Sequence, residues 1–327
     1  MFSPLSRKGR CGAAMTQPST RTVTLWLPAW ATLREHLAPA MALHRLACRA
    51  DRIATEPGQS ERIARSFDIL PRGLPVAALT RELDTGDAMH LTWLRADPGY
   101  VRPDMASARL MACGELDLSP EECEALLKPL KPLFGDEGFP ISAAVPSRWY
   151  LCLPADARLP AFAPPQDVLG DDLFAHLPEG DAGRRWRRLL NEAQVILHNH
   201  PVNVQRSAQG KLPVNTVWFW GEGRLPDHVH GSFTQLRSGD VLLRALAARA
   251  GVETNTDDRT DTLPPGALVD LRDVAQASVL DAHWIAPLMQ AVGSGRFDAL
   301  VLDFGDGLLL RWCSAHRWRF WRRSLPA

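Results

Sequence analysis

Residues 198–223 read HNHPVNVQRSAQGKLPVNTVWFWGEG, and their order predicts a helix, a turn and a strand. Before them, Trp186, Leu189, Leu190, Ala193, Ile196 and Leu197 repeat at helical spacing. That helix must stop by His200, because the residue before a proline is pushed out of the α region and Pro201 follows. Thr216–Trp220 is β-branched and aromatic, which predicts a strand, and Gly221-Glu222-Gly223 ends it.

Similar units lie on both sides. Val23–Leu27 (VTLWL) reads as a buried strand, followed by a helical stretch through Leu33, Leu37, Met41 and Leu46. Leu91–Leu94 reads as a short strand ending in Arg95-Ala96-Asp97-Pro98-Gly99. Ser119-Pro120-Glu121-Glu122 has the form of a capping box, with Pro129 and Pro132 expected to shorten or kink the helix it starts. Trp149–Leu153 is a further strand. Asp240 is placed to cap a helix that ends at Gly251, and another helix covers roughly 278–292. Ala299–Phe304, a Gly305-Asp306-Gly307 turn, Leu308–Cys313 and Arg317–Trp321 predict a C-terminal antiparallel meander. Strands alternating with helices, closed by a meander, predict an α/β fold with a mixed sheet and flanking helices.

The organisation expected along the chain is a disordered tail over 1–20, with Met15 as a candidate start, then an N-terminal α/β part over 21–155. The proline- and alanine-rich stretch Pro154–Pro165 would link it to a C-terminal α/β part over 166–327, or the two parts form one continuous domain. A chain of 327 residues, 46% hydrophobic, can bury a sizeable core. Lys+Arg and Asp+Glu are 37 each, so no global field draws the chain to nucleic acid or an anionic membrane. Cys11, Cys48, Cys113, Cys123, Cys152 and Cys313 are scattered without C-x-x-C spacing. They read as free thiols of a cytoplasmic protein. No run of about 18 apolar residues predicts a membrane span.

The chemistry is densest in the opening stretch. Arg206 and Lys211 suit a phosphate or carboxylate, Asn203 and Asn215 suit hydroxyls, and Gly221 and Gly223 would let backbone N–H groups approach an anion. These six are the expected binding residues for a small anionic ligand. Asn203, Arg206 and Asn215 are expected on one concave surface beside the Gly221–Gly223 loop. Asn215 opens the strand and Gly221 closes it, roughly 17 Å apart at strand rise, so the two ends could part company. The opposing reading makes both asparagines structural, bonded only to backbone.

The pattern HPVN…R…GK.PVN..W.WG.G resembles a signature of the RpfE-type bacterial regulatory proteins. It is also similar to the matching region of archaeal-type cofactor-independent phosphoglycerate mutases, of the alkaline phosphatase superfamily. The RpfE-type resemblance extends over Trp93-Leu94-Arg95-Ala96-Asp97-Pro98, Leu118-Ser119-Pro120-Glu121-Glu122, Arg148-Trp149-Tyr150, Leu190-Asn191-Glu192 and Arg317–Arg323. The mutase resemblance is confined mainly to residues 190–225. It implies an alkaline-phosphatase-like but degenerate fold. Those mutases use two metal ions and a serine nucleophile, and their first strand typically ends in an Asp-Gly that starts the metal site. The corresponding strand here, Val23–Leu27, carries no carboxylate. The resemblance therefore implies a regulatory or ligand-sensing protein with no catalytic residues and no cofactor, with a regulatory protein as a further partner. The alternative it leaves open is an active mutase or related phosphotransferase using Mn²⁺ or Mg²⁺.

Two other patterns carry competing readings. Asp227, His228 and His230 could hold a metal if they lay on a strand, where both imidazoles point the same way; otherwise they are ordinary loop residues after Pro226. Arg317–Arg323 (RWRFWRR) interleaves cations and aromatics as single-strand nucleic-acid binders do. The zero net charge instead favours an edge strand that packs its aromatics, with Arg stacked on Trp.

Overall fold

The computed structural model describes residues 21–104, 107–322 and 324–326, so the predicted tail over 1–20 lies outside the described residues. Two compact units are present. The first holds the described residues up to Arg62, Ser232–Arg237 and the residues from Asn255 onward; the second holds Ile63–Gly231 and Ser238–Thr254. The division does not fall at Pro154–Pro165, which lies inside the second unit. The strand Thr92–Pro103 pairs with both Arg148–Leu153 and Thr216–Gly223, one on each side of the proline-rich stretch, and the pairing ties them into one body.

In the first unit Gln235–Arg237, Ala267–Asp270, Thr22–Trp26 and Ala299–Asp303 lie side by side and parallel. Leu308–Cys313 and Asp51–Ala54 extend this sheet through antiparallel pairs. The sheet is therefore mixed, as expected. Alternation turns Val23, Leu25, Leu300, Leu302, Val269 and Leu310 to one face. Leu43, Leu46 and Ala47 of the helix Ala42–Arg49 and Leu288 and Val292 of the helix Ala286–Gly293 cover that face. The first of these helices has no side-chain cap of its own, and the Asp281 carboxylate accepts from Ala42 N at 3.0 Å and Leu43 N at 2.6 Å instead. The helix predicted near 278–292 is present as Ala277–Leu280, one π-helical stretch Asp281–Ile285, and Ala286–Gly293.

The meander ends one strand early. The hairpin of Ala299–Asp303 and Leu308–Cys313 forms, but Ser314–Trp318 is a 3₁₀ turn where the third strand was expected. The strand that flanks Leu308–Cys313 comes from Asp51–Ala54. Its residue Asp51 accepts from Arg319 at 2.5 Å, which fixes the turned segment.

The second unit is built on antiparallel strands in the order Ala108–Cys113, Thr92–Pro103, Arg148–Leu153, Ile141–Val145, with Thr216–Gly223 also paired to Thr92–Pro103. Thr92–Pro103 passes through the Pro98-Gly99 pair expected to end it. Gly99 makes this feasible, because a Cβ there would come within 2.8 Å of Thr216 Cγ2. Helix Pro120–Asp136 starts at the predicted capping box, in which Glu122 N donates to Ser119 Oγ and Ser119 N to Glu122 Oε2. Pro129 and Pro132 do not shorten it, since buried Leu126, Leu127, Leu130 and Phe134 anchor the helix on both sides of each proline. Trp186, Leu189, Leu190, Ala193 and Leu197 of helix Gly180–His198 join the same core. His228–Gly231 is a strand paired with Phe67–Leu70, not a loop; this pairing spans distant sequence that local patterns do not link.

Candidate functional site

The residues expected to bind a ligand are turned mostly onto backbone. Pro201 opens a helix, Pro201–Ala208, capped by the His200 ring, and Asn203 lies in its first turn. Asn203 is buried; it donates to Leu197 O at 2.7 Å and Val214 O at 2.8 Å and accepts from Val214 N at 2.8 Å. It thus clips the end of one helix to the lead-in of the next strand. Asn215 is half-buried and forms a two-bond pair with Val101 N and Val101 O, both at 2.8 Å, as a strand residue would.

Arg206 is fully buried. It donates to Leu212 O, Leu116 O and Asp117 O, and pairs at 2.7 Å with Glu122, the residue that closes the capping box. Lys211 pairs with Asp117 at the surface. Gly221 and Gly223 have positive φ, and a Cβ on them would come within 2.9 Å of Val76 and 2.6 Å of Pro75. Their lack of a side chain serves close packing against the start of helix Val76–Thr85. In this arrangement Asn203 and Asn215 staple backbone segments together, and Arg206 and Lys211 are paired with Glu122 and Asp117.

His228 and His230 are exposed on their strand with rings parallel and 6.5 Å apart, and Asp227 is exposed beside them. Among the described residues no group of three His, Cys, Asp or Glu side chains is placed to hold a metal ion.

A second polar cluster lies on Thr92–Pro103. Arg95 and Asp97 are buried and paired at 2.7 Å, with Arg95 stacked between the Tyr150 and Trp220 rings. Asp97 also accepts from Trp220 Nε1 at 2.7 Å and Trp149 N at 3.3 Å. Burial pushes the Asp97 carboxyl up, and pushes Tyr150 up to about 12. Tyr150 in turn donates to Asp84, which holds Arg148 with two bonds. Each charge has a partner, which is the condition for keeping charges inside a core.

The remaining candidate lies at the carboxyl edge of the parallel strands in the first unit, where open α/β sheets place ligands. Trp26, the last residue of its strand, is level with Asp270 on one side and Asp303 on the other, so the three side chains share a face. Asp270 holds Arg272 through two bonds of 2.7 Å. Asp303 is buried and pairs with the buried Arg62 at 3.2 Å. Arg62 and Arg272 each stack 5.3 Å from the Trp26 ring, whose buried Nε1 has no hydrogen-bond partner among the described residues.

Beyond the ends of Ala299–Asp303 and Asp51–Ala54, a groove of about 440 Å³ opens among Trp30, Arg34, Arg52, Asp306, Gly307 and Pro326. Asp306 caps the short helix Trp30–Arg34 at Ala31 N, and Arg52 donates to Ser324 O. Arg34 and Arg52 give the groove its positive charge. Sequence reading missed Arg62, Arg272, Asp270 and Arg34. One signal was available: ALVD at 267–270 and ALVLD at 299–303 are two apolar strands that each end in aspartate.

No family model matches the chain. A segment of 63 residues, 19% of the chain, is 41% identical to a probable 2,3-bisphosphoglycerate-independent phosphoglycerate mutase of Geobacter sulfurreducens, over 16% of that protein. The 2,3-bisphosphoglycerate-independent phosphoglycerate mutase of Methanosarcina barkeri is 28% identical over 42% of this chain and 36% of its own length. That of Methanothermobacter thermautotrophicus is 39% identical over 28% and 24%. The chain thus matches well under half the length of these curated relatives. A cofactor-independent phosphoglycerate mutase from Thermoplasma acidophilum superposes over 90% of both chains at 15% identity with a TM-score of 0.43. A protein from Pyrococcus horikoshii superposes over 89% of this chain and 86% of its own at 12% identity and 0.46. Through the matched segments, this chain is distantly related to the cofactor-independent phosphoglycerate mutases.

Proposed function

We propose that this chain is a ligand-sensing, regulatory protein on a phosphoglycerate-mutase-like scaffold, akin to the RpfE-type regulators its motifs resemble. It works without a cofactor and without the mutases' two-metal centre, and it takes up a small anion in the groove beside Arg34 and Arg52. The observation that carries this reading is the Asp270–Trp26–Asp303 row. Two-metal chemistry needs several open carboxylate and imidazole ligands. Here an indole ends the first strand, and each flanking carboxylate is engaged by a guanidinium. This donor set does not fit a pair of divalent cations.

The test is direct. The pure protein is given 3-phosphoglycerate with Mn²⁺ or Mg²⁺, and 2-phosphoglycerate is followed. In parallel, 3-phosphoglycerate and inorganic phosphate are titrated calorimetrically into the wild type and Arg34→Gln. The expected result is no chelator-sensitive turnover, with binding of at least one anion that weakens several-fold in the variant. Turnover abolished by chelation would overturn the reading in favour of an active metal-dependent mutase.

A further inference from the structure

The segment after the C-terminal hairpin does not pack its aromatics. Trp318, Phe320 and Trp321 are 64%, 65% and 66% exposed. Large rings at this level of exposure forgo the burial that normally makes aromatics stabilising, so their position calls for a contact that the unit itself does not supply. The expectation of an edge strand with packed aromatics therefore fails.

Around these rings the charge is one-sided. Arg49 donates to Arg317 O, Arg319 donates to Arg49 O and Asp51, and Arg322 donates to Ala50 O. Arg311 lies directly across the sheet from Asp51. Five arginines thus gather about a single aspartate, in a chain whose overall charge is zero. Along the chain the rings are interleaved with this charge. Arg317 stacks 5.0 Å from the Trp318 ring, and Phe320 meets Trp321 edge-on at 81°.

We infer that this surface binds single-stranded nucleic acid, with Trp318, Phe320 and Trp321 stacking on unpaired bases and the surrounding arginines meeting the phosphates. Every base offers a π-face, so such stacking tolerates any sequence, and the cations follow the backbone. Bases paired in a duplex do not offer those faces. A membrane-binding surface would instead present a wholly apolar stripe, whereas here Arg319 stands between Trp318 and Phe320 and Arg317 stacks on Trp318. The site is independent of the groove reading above, since the test uses none of that groove's residues.

The test follows fluorescence anisotropy of a labelled 20-mer of deoxythymidine, and of uridine, with the full chain over a range of salt. Binding is expected at low salt and should weaken linearly in log–log form, with a slope of about −0.7 per phosphate contacted. Trp318→Ala/Phe320→Ala/Trp321→Ala together should weaken binding at least tenfold with the salt slope nearly unchanged. Arg317→Gln with Arg322→Gln should lower the slope itself. A blunt duplex of equal length should bind several-fold more weakly. Absence of binding at low salt, equal binding by the aromatic triple variant, or binding only to vesicles of anionic phosphatidylglycerol would each overturn the proposal. So would a shift to dimer that the triple variant abolishes while oligonucleotide has no effect.

Discussion

Gly305 and Arg62 are fitted to one another. The turn glycine has φ +70°, and a Cβ on it would come within 2.6 Å of Arg62 Cζ, so the guanidinium occupies the space where a side chain would stand. From there Arg62 reaches Asp303 Oδ1, and donates to Leu27 O and Asp303 O at 3.0 Å each. A turn residue, a buried cation and the end of a central strand form one assembly.

Gly305→Ala should therefore destabilise the protein by about 2 kcal/mol or more, from the left-handed backbone and the collision combined. Arg62→Ala should cost about 3–5 kcal/mol, because it strands a buried Asp303. Urea unfolding of the two single variants and the double variant gives their coupling. The double variant should be less destabilised than the sum, since the collision disappears with the arginine. Strict additivity would disprove the fit.

Asn203 is predicted to be structural. Asn203→Ala leaves Leu197 O, Val214 O and Val214 N without their side-chain partner, and should lower unfolding stability by about 1–3 kcal/mol. Asn215→Ala should cost a similar or smaller amount, as Asn215 is only half-buried and water can reach part of its site. Lys211→Ala, at a surface ion pair, should change stability by less than about 0.5 kcal/mol. Ligand binding lost from Asn203→Ala at unchanged stability would restore the pocket reading.

These asparagines show where the sequence is legible and where it is not. The capping box at Ser119, the helix through Trp186 and Leu197, and the Asp240 cap, which accepts from Leu242 N and Leu243 N, are local signals carried by residues a few positions apart. They stand where their spacing puts them. The same is true of the strand that holds Val23 and Leu25. Asn203, by contrast, offers the same donors and acceptor to a ligand or to a backbone, and only the fold decides which is near. The closing of Asp303 by Arg62 joins positions 241 apart in the chain, as the hydrogen bond from Arg62 to the Asp303 carbonyl does. No periodicity links such residues. The Phe67–Leu70 and His228–Gly231 pairing was hidden for the same reason.

Acid should loosen the second unit at a defined point. Arg81 holds the Asp87 carboxylate with two bonds, of 2.6 and 2.5 Å, and this lowers the Asp87 pKa to about 2. A carboxylate whose folded pKa is depressed contributes stability above its ordinary pKa near 4, and loses that contribution as pH falls through about 2. Asp87 is half-exposed, so screening limits the contribution to about 1 kcal/mol. Asp87→Asn should be less stable than the wild type at pH 6, and the gap should close between pH 4 and pH 2. A gap that stays constant over that window would remove the ion pair as its cause.

The thiols offer the last test. None of the five described cysteines is in a disulfide, in keeping with the scattered spacing. Burial, reinforced by the nearby Asp97 carboxylate, pushes the Cys113 thiol well above its ordinary range. Burial also raises Cys48 and Cys123. Alkylation requires the thiolate, and each raised pKa lowers the fraction present at pH 8. Iodoacetamide labelling at pH 8, read by peptide mass spectrometry, should find Cys113 the slowest of these three in the native protein, since it alone has a buried anion beside it. In urea the three rates should converge. Asp97→Asn removes the neighbouring charge but leaves Arg95 buried without its carboxylate, so it also destabilises the unit. Native labelling is therefore the cleaner measurement. Rapid native alkylation of Cys113, at its rate in urea, would contradict the raised pKa of its thiol.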